Sequence, residues 1–382
     1  MNENVIYLDN AATSFPKPDS VYNAVMDAMK TCGGNPGRSG HRLSMAAGRI
    51  INEARFYCGR LFNAAEREIV FTHNATAALN IAIKGALNSG DHVITSTLEH
   101  NSVARPLYQM DDVEVTKVFT DLVDGLSVDD VKKALRPNTK MVVCTHVSNV
   151  TGTVNDIAAI GKFCRENGLL FLVDAAQSAG NRHIDVQDMY VDMLAFAGHK
   201  GLFAPQGTGG LYIHSGVELK PLMHGGTGNK SEMLAQPEGM PYKFESGTPN
   251  TPGLAGLVAG LKFIEEQGLE NIETFEKMLT RRLIDGIAAI EGITLIGSTL
   301  CKKRGHVVSL IFDKISPSEA AMILDASFNI AARSGLHCAA DAHESVGTTK
   351  SGGTLRLSPG YFNTVDEIDK CLAALEICAK GF

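Results

Sequence analysis

The feature that most restricts the fold is a series of short apolar runs alternating with helical stretches, between about residue 70 and residue 215. Candidate strands fall at 69–71, 92–96, 113–119, 141–145, 170–174, 193–196 and 210–213. Several, such as MVVCT and LLFLVD, are near-continuous apolar runs. A strand with one wet face alternates polar and apolar residues, whereas a strand covered on both faces does not. Helical stretches at 75–87, 127–135 and 157–167 lie between the strands. The second opens with Ser127 and Asp130 at capping-box spacing, and the third ends at Gly168, a residue suited to the left-handed position after a helix. The alternation predicts an α/β fold with a mostly parallel sheet and helices on both faces.

The pattern changes after residue 213. Residues 225–252 are rich in Gly, Pro and polar side chains and show no periodicity. A loop of that length inside a compact protein is functional or marks a junction. Helical sequence at 254–290, strands near 293–296 and 307–312, a helix at 317–325, strands near 330–333 and 354–357 and a last helix at 365–380 then read as a smaller α+β unit. The expected division is a large domain over 15–253 and a small C-terminal domain over 254–382, with residues 1–14 packing on the small one. A chain of 382 residues suits that division.

Composition excludes several classes. The net charge is -7 and the longest basic run is only Lys302–Arg304, so no nucleic-acid footprint is visible. No apolar stretch reaches the ~20 residues of a membrane span. The N-terminal residues have neither the basic nor the apolar region of a secretory signal. A cytoplasmic protein without membrane or nucleic-acid partners is expected. The eight cysteines, Cys32, Cys58, Cys144, Cys164, Cys301, Cys338, Cys371 and Cys378, contain no C-x-x-C pair, and no metal site is expected. Most sit in apolar or helical surroundings and read as buried free thiols.

The chemistry concentrates after the strands. Asp174 ends the run LLFLVD, and Lys200 follows the run MLAF. Ligands of open α/β sheets bind at the carboxyl ends of strands, so one crevice receives both an acid and an amine. A pyridoxal 5'-phosphate (PLP) enzyme needs this pair: the lysine forms a Schiff base, and the carboxylate keeps the pyridine nitrogen protonated. Separately, a strand-end carboxylate and a loop lysine are ordinary. In IVFTHNATAALN a strand turns into a helix whose first residues, Ala75 and Thr76, are small enough to admit a phosphate at the helix N-terminus. His100 follows the strand at 92–96, where its ring could lie on a flat cofactor. Asn149 and Gln177 are placed to donate hydrogen bonds to a phenolic oxygen.

YLDNAAT, FTHNATAALN, LEHNS, HVSNVTGTVND, VDAAQSAG, AGHKG, FESGTPNT and RSGLHCA occur in an order that resembles the class V aminotransferase superfamily. The closer resemblance is to its cysteine desulfurase and selenocysteine lyase branch, and it covers nearly the whole chain. It implies a PLP enzyme of fold type I, a homodimer acting on L-cysteine and passing sulfur to an acceptor protein. It implies that Lys200 carries the cofactor, Asp174 pairs with its ring nitrogen, His100 stacks on the ring and Gln177 bonds its phenolic oxygen. By the same resemblance Asn149 lies beside substrate and ring, and Ala75, Thr76 and His199 hold the phosphate. Thr248 reaches the phosphate of the neighbouring subunit, and Arg356 grips the substrate carboxylate. Cys338 accepts the sulfur as a persulfide, with Arg333 and His337 as positive neighbours of the kind that favour a thiolate.

The short RSGLHCA segment resembles the second of the two desulfurase groups. Two positions depart from the family pattern: Ala197 replaces a phosphate-binding serine, and Leu336 stands where a second histidine is frequent. The alternatives within the family are selenocysteine lyase, cysteine sulfinate desulfinase, or another class V aminotransferase or β-lyase. Outside it, the QGTGG segment at 206–210 precedes a strand instead of following one, so it fails as a dinucleotide fingerprint. Cys338, Asp341 and His343 match metal ligands by type only.

Overall fold

The computed structural model describes residues 5–37, 40–120, 122–228, 232–300 and 303–381; Cys301 and Lys302 lie outside them. The chain begins with a short strand β1 (Ile6–Tyr7) and two helices, α1 (Asp19–Thr31) and α2 (Arg42–Phe62). The α/β region follows as β2 (Ile69–Thr72), α3 (Ala75–Ala86), β3 (His92–Ser96), α4 (Asn101–Tyr108), β4 (Glu114–Val118), α5 (Val128–Lys133), β5 (Thr139–Thr145), α6 (Ile157–Glu166), β6 (Leu170–Asp174), β7 (Met193–Ala197) and β8 (Gly209–Ile213). The C-terminal part contains α7 (Thr251–Gln267), α8 (Leu269–Ala288), β9 (Ile293–Ile296), β10 (Val308–Phe312), α9 (Pro317–Phe328), β11 (Ile330–Ala331), β12 (Arg333–Gly335), α10 (Ala340–Ser345), β13 (Thr354–Leu357) and α11 (Val365–Lys380).

The large sheet has seven strands in the order β2-β8-β7-β6-β5-β3-β4. All pairs are parallel except those made by β8, which runs antiparallel to β2 and β7. The strands β3, β7 and β8 are buried along their whole length, while the edge strand β4 is partly exposed, which accounts for its mixed sequence EVTKV. Side chains of α2, α6 and α7 fill one face (Phe62, Ile160, Leu257) and those of α3 and α4 the other (Leu79, Ile83, Val103). Each such fully buried side chain contributes roughly 1.5–3 kcal/mol. Polar N-caps start the helices that matter for the site: Asn74 accepts from the Ala77 amide, Ser127 from Asp130 and Asp156 from Ala159.

The smaller sheet has the order β12-β13-β10-β9 and is wholly antiparallel. Its core is built with α8, α9 and α11. The strand expected at 330–333 is two strands: β11 pairs with β1, whereas β12 joins β13. The packing of α7 and α8 bears on the domain division. Leu254, Leu257, Val258, Leu261 and Ile264 of α7 pack into the core of the large sheet, while Leu279, Leu283 and Ile287 of α8 pack into the small one. On that packing we propose a boundary at Gly268, between the two helices, instead of at 253/254. The N-terminal segment does lean on the small unit, since Asn10 Nδ2 donates to Ser358 O and Asn363 Oδ1. Ser14 then turns back, its amide donating to His199 O. Among the described residues no helix is long and apolar enough to cross a membrane.

Candidate active site

The carboxyl ends of the parallel strands and the inner edge of the small sheet enclose a cleft of about 220 Å³. Asp174 ends β6 in register with Thr145 of β5 and Ala195 of β7. It is buried, and its Oδ1 accepts from the Ala176 amide at 2.9 Å. Burial raises its pKa, and the nearby Lys200 offsets part of that shift. Lys200 lies three residues past β7, half-buried in the same cleft. Desolvation pulls its amine down to about 8, with Asp174 opposing the shift. An amine so tuned is partly neutral near physiological pH and is therefore a competent nucleophile and base.

The imidazoles of the cleft are neutral. His100 caps α4, its Nδ1 accepting from the Ser102 amide at 3.0 Å, so the proton of the neutral ring resides on Nε2. Burial and then Lys200, Arg333 and other cations bring it down to about 4. His199 falls to about 4 as well, through burial and then Lys200, and its buried Nδ1 has no partner. Thr76 Oγ1 meets Ser102 Oγ at 2.7 Å, which in turn meets His100 Nδ1 at 2.9 Å. This chain ties the N-terminus of α3 to the His100 ring. Gln177 is buried, donates to Ala11 O at 2.9 Å and leaves its Oε1 without a partner.

Arg356 and Arg333 sit opposite each other on β13 and β12. Arg356 is almost wholly buried and donates to Asp9 Oδ1 at 2.8 Å and to Asn149 O at 3.2 Å, with Nε unpartnered. Asn149 is buried and donates to His337 O at 2.6 Å. Cys338 is exposed at the rim, with Arg333 Nη2 3.5 Å from its sulfur and its carbonyl accepting from the Asn101 amide at 2.7 Å.

One cleft therefore contains Ala75, Thr76, His100, Asn149, Asp174, Gln177, His199, Lys200, Arg333 and Arg356, with Ala197 on its wall. Thr248 lies outside this cleft, on a second cavity of about 620 Å³, where Asn35 Nδ2 approaches its hydroxyl at 3.5 Å. One expectation changes. His337 is no positive neighbour of Cys338: its ring is buried, Nε2 is bonded to Thr354, and burial drives its pKa down to about 2. The sequence reading also passed over Asp9, Ser102 and the Ala11 carbonyl, although two of the recurring segments, YLDNAAT and LEHNS, contain them. Of the metal-type residues near the rim, Asp341 is engaged by Lys117 at 2.7 Å and His343 Nδ1 by Thr348 at 2.8 Å.

Buried polar atoms ordinarily find partners. The unpartnered Gln177 Oε1, His199 Nδ1 and Arg356 Nε surround an amine, a carboxylate and the N-terminus of α3. That mixed set of donors and acceptors fits a planar carbonyl cofactor with a phosphate tail, bound beside an amino acid carboxylate.

A fold of this architecture with a lysine and an aspartate at one cleft defines the class: the chain belongs to the class-V aminotransferase family, which matches residues 6–371. Among curated relatives, a probable cysteine desulfurase of Methanothermobacter thermautotrophicus is 36% identical, covering 97% of this chain and 94% of the relative. A probable cysteine desulfurase of Pyrococcus abyssi is 35% identical, covering 100% and 96%. The solved apo structure of the cysteine desulfurase from Thermococcus onnurineus NA1 is 34% identical, superposes with a TM-score of 0.93, and covers 99% of this chain and 95% of that one.

Proposed function

We propose that this protein is a PLP-dependent cysteine desulfurase that converts L-cysteine to L-alanine and takes the sulfur onto Cys338 as a persulfide. The observation that carries the reading is the meeting of Lys200, Asp174 and Arg356 in one cleft with an exposed thiol at its rim. When bound, PLP supplies an aldehyde that condenses with amines and a ring that accepts negative charge from the substrate α-carbon.

The protein's side chains do the rest. Lys200 would hold the cofactor at rest, Asp174 would pair with its ring nitrogen and His100 would stack on its ring. Gln177 and Asn149 would serve its phenolic oxygen. The first amides of α3 at Ala75 and Thr76, the Thr76 hydroxyl and His199 would hold its phosphate, with Thr248 of a second subunit completing the set in a homodimer. Ser102 offers a further hydroxyl near the site of the serine replaced by Ala197. Arg356 binds the substrate carboxylate through its guanidinium fork. Lys200, once displaced, takes the α-proton at Nζ, which a lysine brought down to about 8 can do. The Cys338 thiolate, beside Arg333, attacks the substrate sulfur. An S–S bond forms as the substrate Cβ–S bond breaks, its electron pair goes to the β-carbon, a proton is taken up there, and return of a proton from Lys200 to the α-carbon completes alanine. One cysteine and one enzyme thiol give one alanine and one enzyme persulfide. A sulfur-acceptor protein in the cytoplasm then discharges Cys338.

The test is alanine formation from L-cysteine by wild type and Cys338→Ala, with mass spectrometry of the Cys338 peptide. Alanine and a persulfide from wild type only is the expected result. Equal alanine from both proteins would remove Cys338 from the reaction and turn the search to selenocysteine, cysteine sulfinate or ordinary amino donors.

A further inference from the structure

Behind the cleft, where the large and small units meet, lies a second polar cluster that the proposed mechanism does not use. Its members are Asn181, Arg182, Glu273, Glu276 and His306, and Gln177 borders both this cluster and the cleft. Asn181 and Glu276 are buried, 9% and 5% exposed. Asn181 Nδ2 donates to Glu276 Oε2 at 2.6 Å and lies 3.5 Å from His306 Nδ1. Glu276 stands on α8, which packs with the small sheet, while Asn181 belongs to the large unit. The hydrogen bond therefore crosses the junction.

The other side of the Asn181 amide touches the lysine loop. Gly201 directly follows Lys200, and a Cβ added there would lie 1.6 Å from Asn181 Oδ1 and 2.5 Å from Ala179 O. A Cβ at Gly180 would lie 2.3 Å from Gly201 O. Segments 179–181 and 199–201 are thus in backbone contact, and no side chain larger than hydrogen fits between them. The Asn181 amide thus lies against the Gly201 backbone on one side and is hydrogen-bonded to Glu276 on the other.

We propose that Asn181 and Glu276 form a positioning pair that fixes where Lys200 leaves the backbone, so that the small unit helps to aim the reactive amine. The inference rests on the reading of Lys200 as that amine. Burial lifts the Glu276 carboxyl to about 8, so it is neutral at physiological pH, and a neutral amide can replace it as the acceptor for Asn181. A glutamine should therefore preserve the pair and a leucine should not.

The experiment uses the full-length chain without PLP. Acylation of each lysine by an amine-reactive reagent is followed by peptide mass spectrometry, with the exposed Lys84 as internal reference and thermal melting as control. PLP uptake is then followed by visible absorbance. In Asn181→Ala and Glu276→Leu, acylation of Lys200 relative to Lys84 is expected to rise roughly three- to tenfold, the value of one lost hydrogen bond, and PLP affinity to fall by a similar factor. Glu276→Gln is expected to stay within about twofold of wild type, since it keeps that hydrogen bond. A general loss of stability would also raise the labelling of a half-buried lysine away from the cleft, such as Lys243, and would not be rescued by glutamine. Unchanged Lys200 labelling in the first two variants overturns the proposal, as does a Glu276→Gln protein that behaves like Glu276→Leu. If Glu276→Leu does not fold, Asn181→Ala decides alone. A wild type that forms no alanine while the labelling pattern holds defeats the desulfurase reading and leaves the positioning pair standing; alanine formation without the pattern does the reverse.

Discussion

Replacing Asp9 separates two things it does for Arg356: neutralising the charge and fixing its orientation. Arg356 is 1% exposed and Asp9 21% exposed, with 2.8 Å between Nη2 and Oδ1. At an effective dielectric near 20, two charges about 4 Å apart attract by roughly 4 kcal/mol. The partial exposure of Asp9 lowers the net effect to about 2–3 kcal/mol, within the range for a charge-assisted hydrogen bond. Asp9→Asn keeps an oxygen that can accept from Nη2 but removes the charge, so the guanidinium stays aimed and becomes an uncompensated buried cation. Asp9→Ala removes both.

The two variants should therefore diverge. Both should melt lower, by about 3–5 °C if each kcal/mol moves a chain of this size by somewhat under 2 °C. In Asp9→Asn a bound carboxylate takes over as counter-ion. L-alanine, the product, should then raise the melting temperature more than it does in wild type, and KM for L-cysteine should not increase. In Asp9→Ala the KM should rise about tenfold, because the fork is free to turn. The assays are calorimetric melting with and without L-alanine, and alanine formation against cysteine concentration. Equal increases in KM in the two variants would show that Asp9 acts on Arg356 through its charge alone, and would refute the orienting role of its oxygen. Unchanged melting in both would show that the pair adds nothing to stability.

Further expectations concern the rest of the cleft and the core. Ser102→Ala breaks the chain from Thr76 to His100 and should weaken PLP retention by roughly 3–10-fold, read by absorbance after dialysis. Stability of the chain without PLP should peak near pH 6.5. Buried neutral His146, His306 and His337, with values of about 3, 3 and 2, contribute stability that is present above the unfolded histidine value of ~6.5 and is lost as pH falls below it. Glu99 and Glu276, raised to about 8, contribute stability that is present below about 4.5 and is lost as pH rises toward 8. Each group changes stability by up to about 1.4 kcal/mol per pH unit in its window, so the histidines outweigh the glutamates between 4.5 and 6.5, the glutamates dominate just above, and toward pH 8 Lys17 and Lys200, lowered to about 8, begin to oppose them. A melting temperature still rising between about pH 6.5 and 7.5 would contradict this. Arg333→Lys removes the planar group beside Cys338 and should slow persulfide formation about tenfold while leaving PLP absorbance intact; an unchanged rate would deny Arg333 that role.

Much of the large unit was legible because its strands are buried on both faces and its helices carry polar caps. The strands at 92–96 and 170–174 were placed to the residue, and the helices at 75–87 and 157–167 ended within a residue of their structural limits. What escaped lacks a local signal. The helix α4 has eight residues with Pro106 inside, and its cap is a histidine side chain, so neither period nor cap announces it. The strand β1 has two residues and exists only because β11 lies beside it. The order of the seven strands and the reversal of β8 follow from crossovers that no window of sequence contains. The site divides the same way. Lys200 and Asp174 were visible from strand ends alone, whereas Asp9 became visible only through Arg356, 347 residues away along the chain.

The rim shows how so short a segment can hold Cys338. His337 and Cys338 are consecutive non-glycine residues in the left-handed region, with φ of 46° and 59°. Such a conformation costs on the order of 1–2 kcal/mol per residue. Three tethers offset that cost: the His337 ring is bonded to Thr354, the His337 carbonyl accepts from Asn149, and the Cys338 carbonyl accepts from the Asn101 amide. Two of the three come from the large unit, from the loops that carry His100 and Asn149. Burial makes the His337 ring a neutral peg instead of a charge, which leaves Arg333 as the cation next to the sulfur. The thiol is thus fixed by the same loops that line the cleft. A sulfur held there can face the cleft on one side and solvent on the other without a long loop to carry it between them.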